Sequence, residues 1–313
     1  MVIRHIPLLL CSGLLLTCLT GCAGLKKWES LQKAGNLPPR FELKTVPFFP
    51  QKAYQCGPAS LATVLNWSGL PVSPEELTDE VFTPLRKGSL QTALISTARR
   101  HGRIAYISSG MEVIFSEVSA GHPVIILQNL GLSWYPVWHY SVVVGYDLPE
   151  RFVILRSGAT ARKIMASRVF GKTWARSNYW GLLILRPDQL PATVEKSLFL
   201  EAVLGLEKAR QFPAAIRGYK TALTRWPQNL TALMGIGNCH YALGELKAAE
   251  SAFRKSVRLH PKEGTALNNL AQVLFDQGRK HEALEVIKKA VSLGGPLNDV
   301  YEKTFKEIQA GSP

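Results

Sequence analysis

The stretch PQKAYQCGPASLATVLNW, residues 50–67, decides how this chain is read. Pro50 and the pair Gly57-Pro58 bracket a loop, and Ala59 to Trp67 has the pattern of an amphipathic helix. Proline is tolerated in a helix's first turn, so the spacing puts Cys56 at or just before the helix N-terminus. Unpaired backbone N–H groups and the helix dipole there favour a thiolate over a thiol. The same amides can donate to an oxyanion formed on a carbonyl that the sulfur attacks. Gln51 is a candidate second donor through its side-chain amide; Gln55, adjacent to the cysteine, is a poorer one. Taken alone, Cys56 also fits a buried structural thiol.

Working outward, a nucleophilic thiol needs a base, and His139 opens the apolar strand HYSVVVGY behind the aromatic loop WYPVW. A histidine at the mouth of a strand can face a cysteine across a cleft while the strand body is buried. Helical patterns cover 57–67, 74–81 behind a Ser73 cap, and 89–101. Short β-rich runs follow at 104–108, 124–128, 139–146, 152–156 and 180–185. Helices first and strands afterwards predict an α+β domain with a largely antiparallel sheet over 41–190.

Gln51-x4-Cys56-Gly57-Pro58-Ala59, a helix, then His139-Tyr140 opening a valine-rich strand that ends in Gly145-Tyr146-Asp147, resembles the bacteriocin-processing (double-glycine leader) peptidase family of the papain-like clan. GSLQTALISTARRHG (88–102) and AGHPVIIL (120–127) match further landmarks of that family. The resemblance implies a papain-like fold, a Cys56 nucleophile, a His139 base, a Gln51 oxyanion donor and no cofactor. The family also places an Asp or Asn 16 to 18 residues after the histidine to fix the imidazole tautomer. Here that window reads Leu155-Arg156-Ser157-Gly158, with no Asp or Asn between Asp147 and Asn178. Ser157 is the candidate third member. Asp147 lies eight residues along the His139 strand, roughly 25 Å away at about 3.3 Å per residue.

After Pro191 strand signals vanish and a period of 34 appears. Pro227 and Pro261 are 34 apart; Ala215, Ala249 and Ala283, and Tyr219, Phe253 and Ile287, keep the same step, as do Gly244 and Gly278. This resembles the tetratricopeptide repeat, in three units over 196–229, 230–263 and 264–297 with a helix after them. Val203 and Arg210 stand in the first unit where glycines are usual. Cys239, His240, His260 and His281 read as packing or surface residues. The resemblance implies a protein partner for the repeats.

The chain has 313 residues, 46% hydrophobic and 19% charged, the composition of a globular protein with room for two cores. Its net charge of +14 is spread out: 19 basic against 11 acidic residues over 23–190, and 17 against 12 over 191–313. That dispersal, with no basic block, argues against nucleic acid as a partner. Residues 1–21 read as a signal peptide, with Arg4 ahead of an apolar run too short for a comfortable membrane span. The run ends in Leu19-Thr20-Gly21-Cys22, which resembles a bacterial lipobox, so Cys22 is expected to carry lipid. By resemblance to the sorting rule of Gram-negative lipoproteins, the non-aspartate Ala23 behind it implies the outer membrane, facing the periplasm, with 22–40 as the lipidated cysteine and tether. Of five cysteines only Cys56 and Cys239 then remain, with no spacing that supports a disulfide or a metal site.

Three functions fit this sequence. The first is a lipid-anchored cysteine peptidase whose repeats recruit a partner or substrate. The second is a pseudo-peptidase acting as an envelope scaffold. The third is amidase or transglutaminase-like acyl transfer by the same thioester route.

Overall fold

The central strands of the first domain are apolar on both faces, because each face of the sheet meets its own core. In the computed structural model, which describes Trp28, Leu31 and residues 35–311, the runs form β4 (Ile104–Ser109), β5 (Val124–Asn129), β6 (Trp138–Asp147), β7 (Phe152–Ser157) and β9 (Trp180–Leu185). Successive side chains point to opposite faces of a strand. Ala105, Ile125, Leu127, Val142 and Val144 therefore enter one core, while Ile104, Val124, Ile126 and Val143 enter another. Helices cover each face, so β5 is buried along its full length.

The sheet is antiparallel throughout, in the order β4-β9-β5-β6-β7-β8, where β8 is Thr160–Ala166. A first strand, β1 (Arg40–Glu42), pairs with the far end of β6. Two short strands, β2 (Phe82–Thr83) and β3 (Gly88–Ser89), make a separate hairpin. One core lies under α1 (Cys56–Trp67), α2 (Pro74–Val81) and α3 (Gln91–Arg100). Ser73 closes α2 with a full capping box: its hydroxyl accepts from Glu76 N, and Glu76 reaches back to Ser73 N. The other face is covered by α4 (Met111–Ser119) and α5 (Ser167–Ala175). These two helices and β8 were absent from the sequence reading.

The chain then turns all-helical. Its pairs are α6 (Lys196–Lys208) with α7 (Phe212–Arg225), α8 (Leu230–Ala242) with α9 (Leu246–Leu259), and α10 (Gly264–Asp276) with α11 (Lys280–Leu293). A final helix, α12 (Asn298–Ala310), follows. Arg210 takes a left-handed conformation (φ +59°), as Gly244 (+73°) and Gly278 (+79°) do at the same turn of the later units. The turn geometry is kept at the cost of a strained arginine. Val203 is accommodated because Gly218 faces it on α7, where a Cβ would approach the valine methyls to 3.0 Å.

The two halves share one core. Phe199, Val203, Tyr219 and Cys239 of the repeats belong to the same buried cluster as Ile104, Phe115 and Val143 of the sheet domain. The connection is bonded as well as packed. Glu117, fully buried on α4, accepts from Thr193 N (2.8 Å), Thr193 Oγ1 (2.6 Å), Ala192 N (3.0 Å) and His122 Nδ1 (2.8 Å). Burial alone would raise its carboxyl, but these donors hold it below the usual carboxylate range.

One sequence expectation changes. The segment read as a tether is not free along its length: Trp28, Leu31 and Leu37 are buried in that shared core, and Trp28 Nε1 donates to Leu148 O at 2.8 Å. A few apolar residues in a polar stretch have no period by which to be read. The signal peptide of 1–21 and the lipidated Cys22 lie outside the described residues.

Candidate active site

Cys56 is the first residue of α1, and its surroundings follow from the local sequence. Gln55 is the N-cap, yet its side chain makes no capping bond; its Oε1 accepts from Thr78 Oγ1 at 3.3 Å instead. Pro58 has no N–H, so the first-turn amides left over are those of Cys56 and Gly57. Both, with the Tyr140 backbone amide, pull the thiol's pKa down. Gly57 has no room for a side chain, since a Cβ there would lie 2.3 Å from Ser89 Oγ. The Cys-Gly-Pro order thus lets the loop before α3 close against the helix that Cys56 opens.

The sulfur is not the pre-formed thiolate the helix terminus suggested. Burial pushes the Cys56 thiol up from its ordinary value, outweighing the pull of the three amides. His139 moves the opposite way: burial, then the charge of Lys163, pushes its imidazole down to about 4. At neutral pH the resting pair is therefore a thiol and a neutral imidazole, which is a competent base. Both residues line one cavity of about 1050 Å³, together with Gln51 and Tyr140. The other thiol among the described residues, Cys239, is buried in the shared core with its pKa pushed up to about 12 by burial and then by Glu207.

The sequence window that lacked a carboxylate supplies a hydroxyl. His139 Nε2 lies 2.9 Å from Ser157 Oγ, which leaves Nδ1 as the ring nitrogen without that bond. Asp147 is at the far end of β6, where it pairs with Arg40 at 2.9 Å. Ser157 is buried at 2% exposure and is itself held: Ser141 Oγ donates to it at 3.0 Å. Ser141 also reaches Gln128 Oε1 at 3.4 Å, and Gln128 Nε2 donates to Thr173 Oγ1 of α5 at 2.7 Å. Sequence reasoning missed Gln128 and Ser141. Alternation could have found them, because positions 128, 139, 141 and 157 interrupt one otherwise apolar face of β5, β6 and β7.

Gln51 is fixed by the turn that follows Ser157. Its Oε1 accepts from Gly158 N at 3.0 Å and its backbone N donates to Gly158 O at 3.0 Å. Its side-chain NH2 makes two long bonds, to Tyr140 O at 3.3 Å and Ser60 Oγ at 3.5 Å. One residue earlier than Ser157, the buried Arg156 clamps the chain leading to the site, donating to Lys44 O (3.0 Å) and to Val46 O (3.1 Å). Among the described residues no group of three or more His, Cys, Asp or Glu could hold a metal ion.

Comparison with known proteins adds the family. Residues 43–180 match the model of the Peptidase_C39 like family. This stretch is a C39-like peptidase domain. Tetratricopeptide repeat models match 200–263 and 247–296, so the C39-like domain is followed by repeats. A solved C39-like peptidase from Bacillus anthracis is similar at 19% identity over 47% of this chain and 97% of that one, with a TM-score of 0.40. The repeat domain of Sgt2 from Aspergillus fumigatus is similar at 20% identity over 38% and 79%, TM-score 0.36. A curated relative, a probable UDP-N-acetylglucosamine–peptide N-acetylglucosaminyltransferase named SPINDLY from Hordeum vulgare, is 32% identical over 87 residues. The matched stretch is 28% of this chain and 9% of that protein, so the chain spans under a tenth of the relative's length.

Proposed function

We propose that the protein is a cysteine peptidase of the cell envelope, with Cys56 as nucleophile and His139 as base. The observation that carries this reading is a thiol and a neutral imidazole on one cavity, with the imidazole's far nitrogen held at 2.9 Å by Ser157. In the proposed step Cys56 Sγ attacks the scissile carbonyl carbon as its proton passes to His139. The carbonyl oxygen takes the negative charge, beside the amides of Cys56 and Gly57 and the Gln51 side chain. The tetrahedral adduct collapses to a thioester as His139 returns the proton to the leaving amine. Water, deprotonated by His139, then hydrolyses the thioester and restores the thiol.

The anchor belongs to the same proposal: lipid on Cys22, an outer-membrane location facing the periplasm, and repeats that hold a protein partner or substrate. Transfer of the acyl group to an amine rather than water follows the same route, and the identity of the acceptor separates it from hydrolysis.

One observation favours an inactive, scaffold reading. Ser157 offers a hydroxyl where a carboxylate or carboxamide would fix the tautomer, and a hydroxyl can donate as well as accept. A peptidyl vinyl sulfone tests the choice. The peptidase reading expects labelling at Cys56 and none at Cys239, with labelling lost in His139→Ala. Equal labelling of wild type and His139→Ala, or none in either, sinks it.

A further inference from the structure

The charge along this cleft has one sign. Lys52, Arg86, Lys87 and Arg176 line it, and among the described lining residues none is Asp or Glu. Lys163 adds a fifth positive charge that acts on His139 from β8. Three of the cations have partners: Lys52 bridges Glu75 at 2.9 Å, Arg176 donates to the carbonyls of Asn129 and Gly131, and Lys87 Nζ lies over the exposed Tyr54 ring, 6.0 Å from its centroid. Arg86 and Lys87 are exposed at the end of a short turn, Pro84–Arg86, that projects at the rim. The aromatic loop supplies the apolar part, with Tyr135 69% and Trp138 49% exposed on the lining and Trp134 78% exposed beside them. Exposed Tyr and Trp side chains offer an apolar body for contact and a polar tip for hydrogen bonding. A cleft of uniform charge also focuses the field and concentrates ligands of opposite charge.

We propose that the cleft selects an acidic polypeptide segment carrying aromatic or aliphatic side chains. Arg86 and Lys87 meet its carboxylates, and Tyr135 and Trp138 pack its apolar groups beside Cys56. This rests on the peptidase reading and adds its substrate class. An anionic bilayer would meet the same charges, but it cannot enter a concave cavity, and it is the cavity lining that lacks acidic groups.

The test measures binding, so that it is independent of turnover. Full-length protein carrying Cys56→Ala is titrated with fluorescent peptides of equal length and apolar content, bearing Glu, Gln or Lys. The Glu peptide binds about tenfold tighter than the Lys peptide at low salt, and the preference fades at high salt. Arg86→Gln with Lys87→Gln weakens the Glu peptide about fivefold and leaves the Gln peptide unchanged. Lys255→Gln, a remote charge on the repeats, changes neither, and a thermal midpoint shows that the double variant is folded. Equal or tighter binding of the Lys peptide overturns the proposal, as does a Glu peptide indifferent to the double variant. It is equally overturned if the double variant loses only binding to phosphatidylglycerol vesicles. Vinyl sulfone labelling is read separately. Labelled Cys56 without charge preference sinks only this inference, and charge preference with unlabelled Cys56 sinks only the peptidase reading.

Discussion

Gln51 and Gly158 are joined twice: each backbone or side-chain oxygen of one accepts from the other's N–H at 3.0 Å. The proposed oxyanion donor and the turn behind Ser157 are therefore one unit. Gln51→Glu separates docking from donation, because a carboxylate still accepts from Gly158 N and has no N–H to give. The variant keeps its thermal midpoint and loses about 10²–10³ in kcat against a peptide substrate. Parallel losses of stability and activity would instead mark Gln51 as a structural tie.

Ser157 is testable by chemistry of the same length. Ser157→Ala removes the bond to His139 Nε2 and slows turnover, with no effect on the binding of peptide to the cleft. Ser157→Asp supplies a permanent acceptor and a negative charge, so the imidazole titrates higher than in the wild type. The acid limb of kcat/KM then moves to higher pH, which a serine acting only as packing would not produce.

In the proposed mechanism the wild-type acid limb is set by His139. Its imidazole must be neutral to take the thiol proton, so kcat/KM rises through about pH 4 and is level at neutral pH. The same group makes stability depend on pH. It titrates near 6.5 when unfolded and at about 4 when folded, so the unfolded chain binds the extra proton between these values. The contribution, about 3 kcal/mol, is full above pH 6.5 and is lost as pH falls toward 4. Denaturant melts of wild type and His139→Asn across this window should converge as the pH is lowered.

Arg156 is the structural counterpart. Arg156→Met leaves the carbonyls of Lys44 and Val46 without their donor in a buried setting. The expected loss is about 2–4 kcal/mol, read from urea unfolding. Activity at low temperature falls too, because the freed segment leads directly to Gln51.

Local chemistry and period made most of the architecture legible. Cys56 at a helix start followed from Gly57-Pro58, the sheet from alternation, and the repeats from a step of 34. What escaped depends on the third dimension. β8 is half polar because it is an edge strand with an exposed face, so TARKIMA shows no apolar run. The row Gln128–Ser141–Ser157 exists only through strand register. The direction of the Cys56 shift is a balance of burial against amides, and burial belongs to the folded state. Arg210 hid its likeness to Gly244 and Gly278 because a backbone angle, not a residue type, is what the turn keeps.

The core that runs from Phe115 and Val143 into Phe199 and Cys239 ties the first repeats to the sheet domain, while the later repeats pack around a core of their own. Cutting the chain near Pro191 would strip Glu117 of three donors and uncover the apolar side of the sheet. An isolated C39-like fragment would then aggregate whether or not it is an enzyme. Conversely, whatever occupies the first repeats stabilises helices that share their core with the sheet domain, so a partner there can be found as a rise in that domain's thermal midpoint.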